Sequence, residues 1–231
     1  MDPSLVELFV DGKEDGLPDS GRLDGLGLGE GSVVFMLFRQ GWRWTACGSK
    51  MALSEDGLVA TAGSNDAVHL VTGGEPMTEG RHYWEVEITK RMDANFFFLV
   101  GAVRPGLDHD KRHCYTDSAY FIETDDGSLY GNGKSCADEQ GAFAEGDRVG
   151  VLLDLDAGWL RFYRNSKRCG PGFTEGVTGP LVRAAQVFRE GAKVTVLPAA
   201  VAPEGAGAAD EPWEEPPPAE SEPEPDPEAD Y

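Results

Sequence analysis

Residues 146–165 read GDRVGVLLDLDAGWLRFYRN. Val149, Val151, Leu153 and Leu155 alternate with Gly150, Leu152, Asp154 and Asp156. That period of two puts successive side chains on opposite faces of a β-strand. The run ends in Asp156-Ala157-Gly158, where the glycine supplies a backbone conformation that other residues avoid. WLRFYRN then returns as the partner strand, and Asn165-Ser166-Lys167 opens another turn. The stretch is predicted to be a β-hairpin. Its two acids also invite a chemical reading, because on one strand they stand roughly 6.6 Å apart at about 3.3 Å per residue. Inverting glycosidases hold their carboxyls about 6.5–9.5 Å apart. Such an enzyme needs its acids on opposite flanks of a sugar cleft, one of them with a raised pKa. Neighbours on one strand do not straddle a substrate. Turn chemistry is the better account, and a glycan hydrolase using Asp154 and Asp156 is the weakest of the alternatives.

The patterning extends outward from this hairpin. In HYWEVEIT (82–89), Trp84, Val86 and Ile88 fall on one face, while Tyr83, Glu85, Glu87 and Thr89 fall on the other, as in a half-buried strand. NFFFLVGAV (95–103) is apolar on both faces and reads as a central strand. From Trp42 to about Pro198, short β-type runs are separated by Gly, Asp and Asn, and none sustains an i, i+3, i+4 pattern over three turns. The expectation is an all-β fold, a bent antiparallel β-sandwich. Two flanking zones differ from it. Residues 1–40 hold two strand-like runs, VELFVDG and SVVFMLF, around a Gly/Asp-rich insert. Residues 199–231 are rich in acid and proline, with too little apolar surface to offset ordering, and are expected to be disordered.

Taken together, EGRHYWEVEI (79–88), FFLVGAVRPG (97–106), GSLYGNGK (127–134), the 146–173 stretch and TGPLVRAAQVFREGAKV (178–194) resemble the successive blocks of a B30.2/SPRY domain. The likeness covers about residues 43–198. It implies a concanavalin-like sandwich that captures a short segment of a partner protein through loops at one end, without catalysis. On that basis the long loop PGLDHDKRHCY (105–115) is expected to contribute Asp108, Lys111, Arg112 and Tyr115 to the partner surface. The loop at 186–192 is expected to contribute Phe188 and Arg189. Residues 8–38 are similar, more weakly, to the second half of a ubiquitin-like β-grasp domain. Forty residues do not form an independent core, so a docked half-domain or a remnant is expected.

Other chemistries find little support. The formal charge of −21 opposes nucleic acid and anionic membranes, although eleven of the acids lie after Ala200 in a segment with no Lys or Arg. Cys47, Cys114, Cys136 and Cys169 are scattered, and no signal peptide or 18-residue apolar run occurs, so a reduced intracellular, cytoplasmic monomer is expected. His109, His113 and Cys114 form the best metal candidate, but adjacent His113 and Cys114 on extended backbone point apart, and an exposed polar loop explains them better. The glycines of GLGLGEG (25–31) do not follow the GxGxxG pattern, and no GxSxG is present. Neither catalytic residues nor a cofactor are expected. Trp42, Trp44, Trp84 and Trp159 are read as core. A carbohydrate-binding module remains an alternative by fold analogy alone.

Overall fold

The structure is a computed structural model that describes residues 41–65, 69–92, 98–131, 133–136 and 142–213, and the backbone of two strands nearer the N-terminus. Those two are β1 (Val6–Val10) and β2 (Val34–Phe38), which pair antiparallel with Val6 opposite Phe38 and Val10 opposite Val34. They coincide with the two strand-like runs expected there. The ubiquitin-like comparison depends mainly on residues outside the described ones.

The remaining strands build two seven-stranded antiparallel sheets. Along the chain they are β3 (Trp44–Cys47), β4 (Met51–Leu53), β5 (Val59–Ala62), β6 (His69–Met77), β7 (Arg81–Lys90), β8 (Leu99–Val103) and β9 (Ala119–Glu123). There follow β10 (Leu129–Gly131), β11 (Lys134–Cys136), β12 (Arg148–Asp154), β13 (Trp159–Arg164), β14 (Lys167–Phe173), β15 (Leu181–Val187) and β16 (Lys193–Leu197). The first sheet runs β11-β10-β9-β8-β15-β6-β3, and the second runs β14-β13-β12-β7-β16-β5-β4. Their facing surfaces enclose one apolar core, to which Trp84, Val86 and Ile88 of β7 and Val149, Val151 and Leu153 of β12 contribute. The inward faces assigned from sequence periodicity are therefore the faces turned to the core between the sheets. Of the apolar run at 95–103, Leu99–Val103 form the central strand β8, buried along its whole length, while residues 95–97 lie outside the described ones.

The opening hairpin is β12–β13, in register from Val149 opposite Arg164 to Asp154 opposite Trp159. Gly158, the last of the four residues between β12 and β13, has a φ of +74°, while Asn165 and Ser166, which alone separate β13 from β14, have φ of +51° and +71°, the left-handed conformation of a two-residue hairpin turn. Asp154 accepts from Arg81 Nε at 2.6 Å and from the Ala157 N–H at 2.8 Å, while Asp156 accepts from the Gly80 N–H at 2.9 Å. Both carboxylates thus tie the hairpin tip to the start of β7. Burial pushes the Asp154 carboxyl up, but the Arg81 and Ala157 hydrogen bonds outweigh it and hold the group below the ordinary carboxylate range. The folded state therefore binds that proton less readily than the unfolded chain. Its stabilising contribution is complete above the ordinary Asp value of 3.8 and is lost as the pH falls below it. Asp154→Asn is expected to cost about 1–2 kcal/mol at pH 7. Urea unfolding at pH 7 and pH 3 checks this, since the difference between variant and wild type should shrink at the lower pH.

The outer face of the second sheet departs from the sequence expectation. Glu85, placed on the solvent side of β7, is buried beneath Tyr83, whose hydroxyl donates to it at 2.7 Å. Leu152 is buried on the same outer face. Trp159 lies there as well and is not a core residue. It sits under the guanidinium groups of Arg81 (5.6 Å) and Arg161 (4.6 Å). The chain after β16 provides much of the cover. Gly207 (φ +83°) lies so close that a Cβ would stand 3.2 Å from both Leu152 and Trp159.

Glu211 anchors this strap. Its Oε2 accepts from Arg161 Nη1 (2.9 Å), the Tyr163 hydroxyl (3.1 Å) and the Gly207 N–H (3.0 Å), and Arg168 donates to its carbonyl at 2.7 Å. The Arg168 guanidinium also lies 5.8 Å from the Trp213 ring. The expected disorder over 199–231 is thus corrected as far as Trp213. Composition registers how little this segment buries on its own. It does not register the two arginines and the tyrosine waiting on β13 and β14. Residues 214–231 lie outside the described ones.

Candidate partner-binding site

The outer face of the first sheet is apolar at Leu70, Leu99, Val103, Phe121, Val182 and Ala184. It is covered by the segment 104–118 between β8 and β9, which buries Cys114 and packs Leu107 against that surface. Loop backbone needs partners wherever it leaves water, and the sheet supplies them. The Leu70 N–H donates to the His109 carbonyl at 3.0 Å, and His109 Nε2 lies 2.8 Å from Thr72 Oγ1. Gln186 of β15 accepts from the His113 N–H (3.3 Å) and donates to the Lys111 carbonyl (3.2 Å). Asp110 accepts from the N–H and hydroxyl of Ser49, at 2.7 and 3.1 Å.

This pinned loop presents a compact cluster. The Arg112 guanidinium lies 5.5 Å from the Tyr115 ring centroid and 5.1 Å from that of Phe188. Tyr115 meets Tyr130 of β10 edge-on, with centroids 5.4 Å apart. Tyr115 is 58% exposed, so its ring is held on two sides yet open to solvent. Beneath it, burial raises the Glu123 carboxyl above its ordinary range, opposed by a hydrogen bond from Tyr130. Asp108 and Lys111 pair at 3.2 Å on the exposed rim of the loop.

Among the residues expected in the site, the structure therefore brings Arg112, Tyr115 and Phe188 into contact. It places Asp108 and Lys111 at the edge, and leaves Arg189 in the turn after Phe188. Sequence reasoning missed Tyr130, Glu123 and Gln186. Gln186 had a legible signal, since a polar residue interrupts the apolar run of β15. Tyr130 and Glu123 had none, because their role comes from β9–β10 pairing beside the loop. The metal candidate comes apart: His109 bonds Thr72, His113 Nε2 lies 2.7 Å from the Asp108 carbonyl, and Cys114 faces the sheet. Among the described residues no three His, Cys, Asp or Glu side chains converge to hold a metal ion. Cys47, Cys114 and Cys169 are free thiols.

The two-sheet topology and the block order find their counterpart in a family model, that of the SPRY domain, which matches residues 81–198. This chain belongs to the SPRY domain family. The E3 ubiquitin-protein ligase TRIM11 of Bos taurus is 35% identical over 98 residues, covering 40% of this chain and 19% of that protein. Butyrophilin subfamily 1 member A1 of Mus musculus is 34% identical over 105 residues, 44% of this chain and 19% of the relative. SPRY domain-containing SOCS box protein 3 of Xenopus laevis is 30% identical over 111 residues, 46% and 30% of the two chains. The chain thus spans about a fifth to three tenths of the length of these curated relatives. Among solved structures, the SPRY domain of human HERC1 superposes with a TM-score of 0.56 at 25% identity, covering 63% of this chain and 91% of that one. The TRIM65 PSpry domain superposes at 0.53 with 18% identity, over 68% and 89% of the two chains. As a SPRY domain, the chain falls within a family of protein-interaction modules. Among its described residues no helix is long and apolar enough to cross a membrane.

Proposed function

We propose that this SPRY domain captures a short extended segment of a partner protein on the patch formed by Arg112, Tyr115 and Phe188, with Lys111, Asp108 and Arg189 at its margin. The observation that supports this most is the exposed Tyr115 ring, fixed between Arg112 and Tyr130 on a loop whose backbone is bonded to the sheet below. A rigid aromatic next to a guanidinium loses little entropy on binding and offers both an apolar face and charge, the combination found in interface hot spots. The sandwich sets the position of the patch, and the loop side chains choose the partner.

Tyr115→Ala and Phe188→Ala are each expected to weaken capture of the partner segment at least tenfold, equivalent to about 1.4 kcal/mol. Peptides selected from a displayed random library on the wild-type domain, with Kd then measured by titration for each variant, provide the check. Tyr115→Ala should leave stability within about 0.5 kcal/mol because the ring is largely exposed. Equal affinity in wild type and both variants would refute this site. Binding to a glycan array, with no peptide enriched, would refute the reading as a whole.

A further inference from the structure

At the opposite end of β15 lies an arginine with no counter-charge among the described residues. One rung of the first sheet joins Trp44 of β3 to Gly73 of β6, Gly73 to Arg183 of β15, and Arg183 to Ala102 of β8. Trp44, Ala102 and Ala185, two residues beyond Arg183 on the same strand, all belong to the core between the sheets. Arg183 therefore points inward, toward the second sheet. Its guanidinium carbon lies 5.5 Å from the Trp42 ring centroid and 5.4 Å from that of Trp84, which comes from β7 opposite. Gly74, held at φ +72°, lies at one end, where a Cβ would stand 2.5 Å from Arg183 Nη1. Glycine there makes room for the guanidinium, which any Cβ would displace.

Several other arginines of this domain donate to a carboxylate or a carbonyl: Arg91 to Phe143 and Asp125, Arg104 to Gly179, Arg161 to Glu211, Arg168 to the Glu211 backbone. Arg183 has no such bond among the described residues. Its Nε is sealed without a partner, and so are the indole N–H groups of Trp42, Trp44 and Trp84. Desolvation lowers its pKa to about 10, and among the described residues no acid stands near enough to restore it. The cation–π contacts engage the ring faces and offset part of the desolvation. They do not engage the in-plane N–H donors, and the residue is still partly open to solvent.

We propose that Arg183, bracketed by Trp42 and Trp84, is a binding site for a single carboxylate group. A planar two-oxygen anion matches the planar fork of a guanidinium held between two rings. One isolated positive charge on a chain of net charge −21 suits a monoanion better than a phosphate dianion. The site lies five residues before Phe188 along the strand, roughly 17 Å away at about 3.3 Å per residue. It is separate from the partner patch and does not depend on that assignment.

The test uses the full chain. Tryptophan fluorescence and Tm are followed while sodium acetate is titrated against sodium chloride at matched ionic strength. The peptide Ac-Gly-Glu-Gly-NH2 is titrated against Ac-Gly-Gln-Gly-NH2. The wild type is expected to respond saturably to acetate and to the glutamate peptide, but not to chloride or the glutamine peptide. Arg183→Met is expected to lose the response while keeping a Tm at least equal to the wild type, because an unpaired buried charge has been removed. Arg183→Lys, which keeps the charge but loses the fork, is expected to respond at least tenfold more weakly. A stronger effect of the peptide than of acetate identifies a glutamate side chain as the source, and equal effects identify a small free carboxylate. Either upholds the site. No saturable response to either carboxylate, or an undiminished one in Arg183→Met and Arg183→Lys, overturns it.

Discussion

Gly101→Ala is expected to cost at least about 4 kcal/mol, enough to leave much of the chain unfolded if its total stability is in the usual range of about 5–15 kcal/mol. Gly101 sits in the middle of β8, with Phe121 of β9 on one side and Ala184 of β15 on the other. A Cβ at this position would stand 2.0 Å from the Tyr120 carbonyl oxygen and 3.1 Å from the Phe121 Cα. Those are backbone atoms in a paired central strand, so no flexible side chain is available to yield. Relief requires β8 and β9 to separate, which weakens their ladder and opens the cores on both faces of the sheet. Equilibrium urea unfolding measures the loss. A cost below about 1 kcal/mol would show that the two strands are not held at this spacing.

Glu211→Ala is expected to cost about 3 kcal/mol, a large effect for one acid in a segment dominated by alanine, proline and glutamate. The side chains of Arg161 and Glu211 are only 14% and 11% exposed. Removing the carboxylate therefore leaves a guanidinium and the Tyr163 hydroxyl short of their acceptor in a place where water replaces it poorly. Glu211→Gln keeps an acceptor oxygen and should lose about half as much. Asp210→Ala, at an exposed neighbouring position, should stay within about 0.5 kcal/mol. Denaturant midpoints of the three variants, measured side by side, decide the matter. Equal midpoints for Glu211→Ala and Asp210→Ala would mean that the strap is not part of the folded unit.

The two acids of the opening hairpin and the one acid of the strap show what kind of information a sequence carries. Asp154 and Asp156 were recognisable as turn residues because the signal is local: alternation on either side, and a glycine where the backbone must turn left-handed. Glu211 looked like one solvated charge among many. Its environment is assembled from β13 and β14, some forty to fifty residues earlier. The proposed partner patch divides along the same line. A long polar loop after an apolar strand suggested Arg112 and Tyr115, and the turn after β15 suggested Phe188. Their contact depends on how the loop folds back over the sheet, where Gln186 holds it.

By itself the sequence determined the all-β character of this SPRY domain, its central strand, the inward face of β7 and β12, and the hairpin at 146–165. Each of these follows from side-chain alternation and turn chemistry, which act between neighbours in the chain. Tertiary structure alone decided that the outer faces of both sheets are covered, that Trp159 lies outside the core, that the chain stays folded to Trp213, and that Arg183 stands between two tryptophans with no counter-charge among the described residues. Those outcomes rest on charges and rings brought together from distant strands, and the energy of such contacts is set by spatial separation and exclusion of water rather than by sequence spacing.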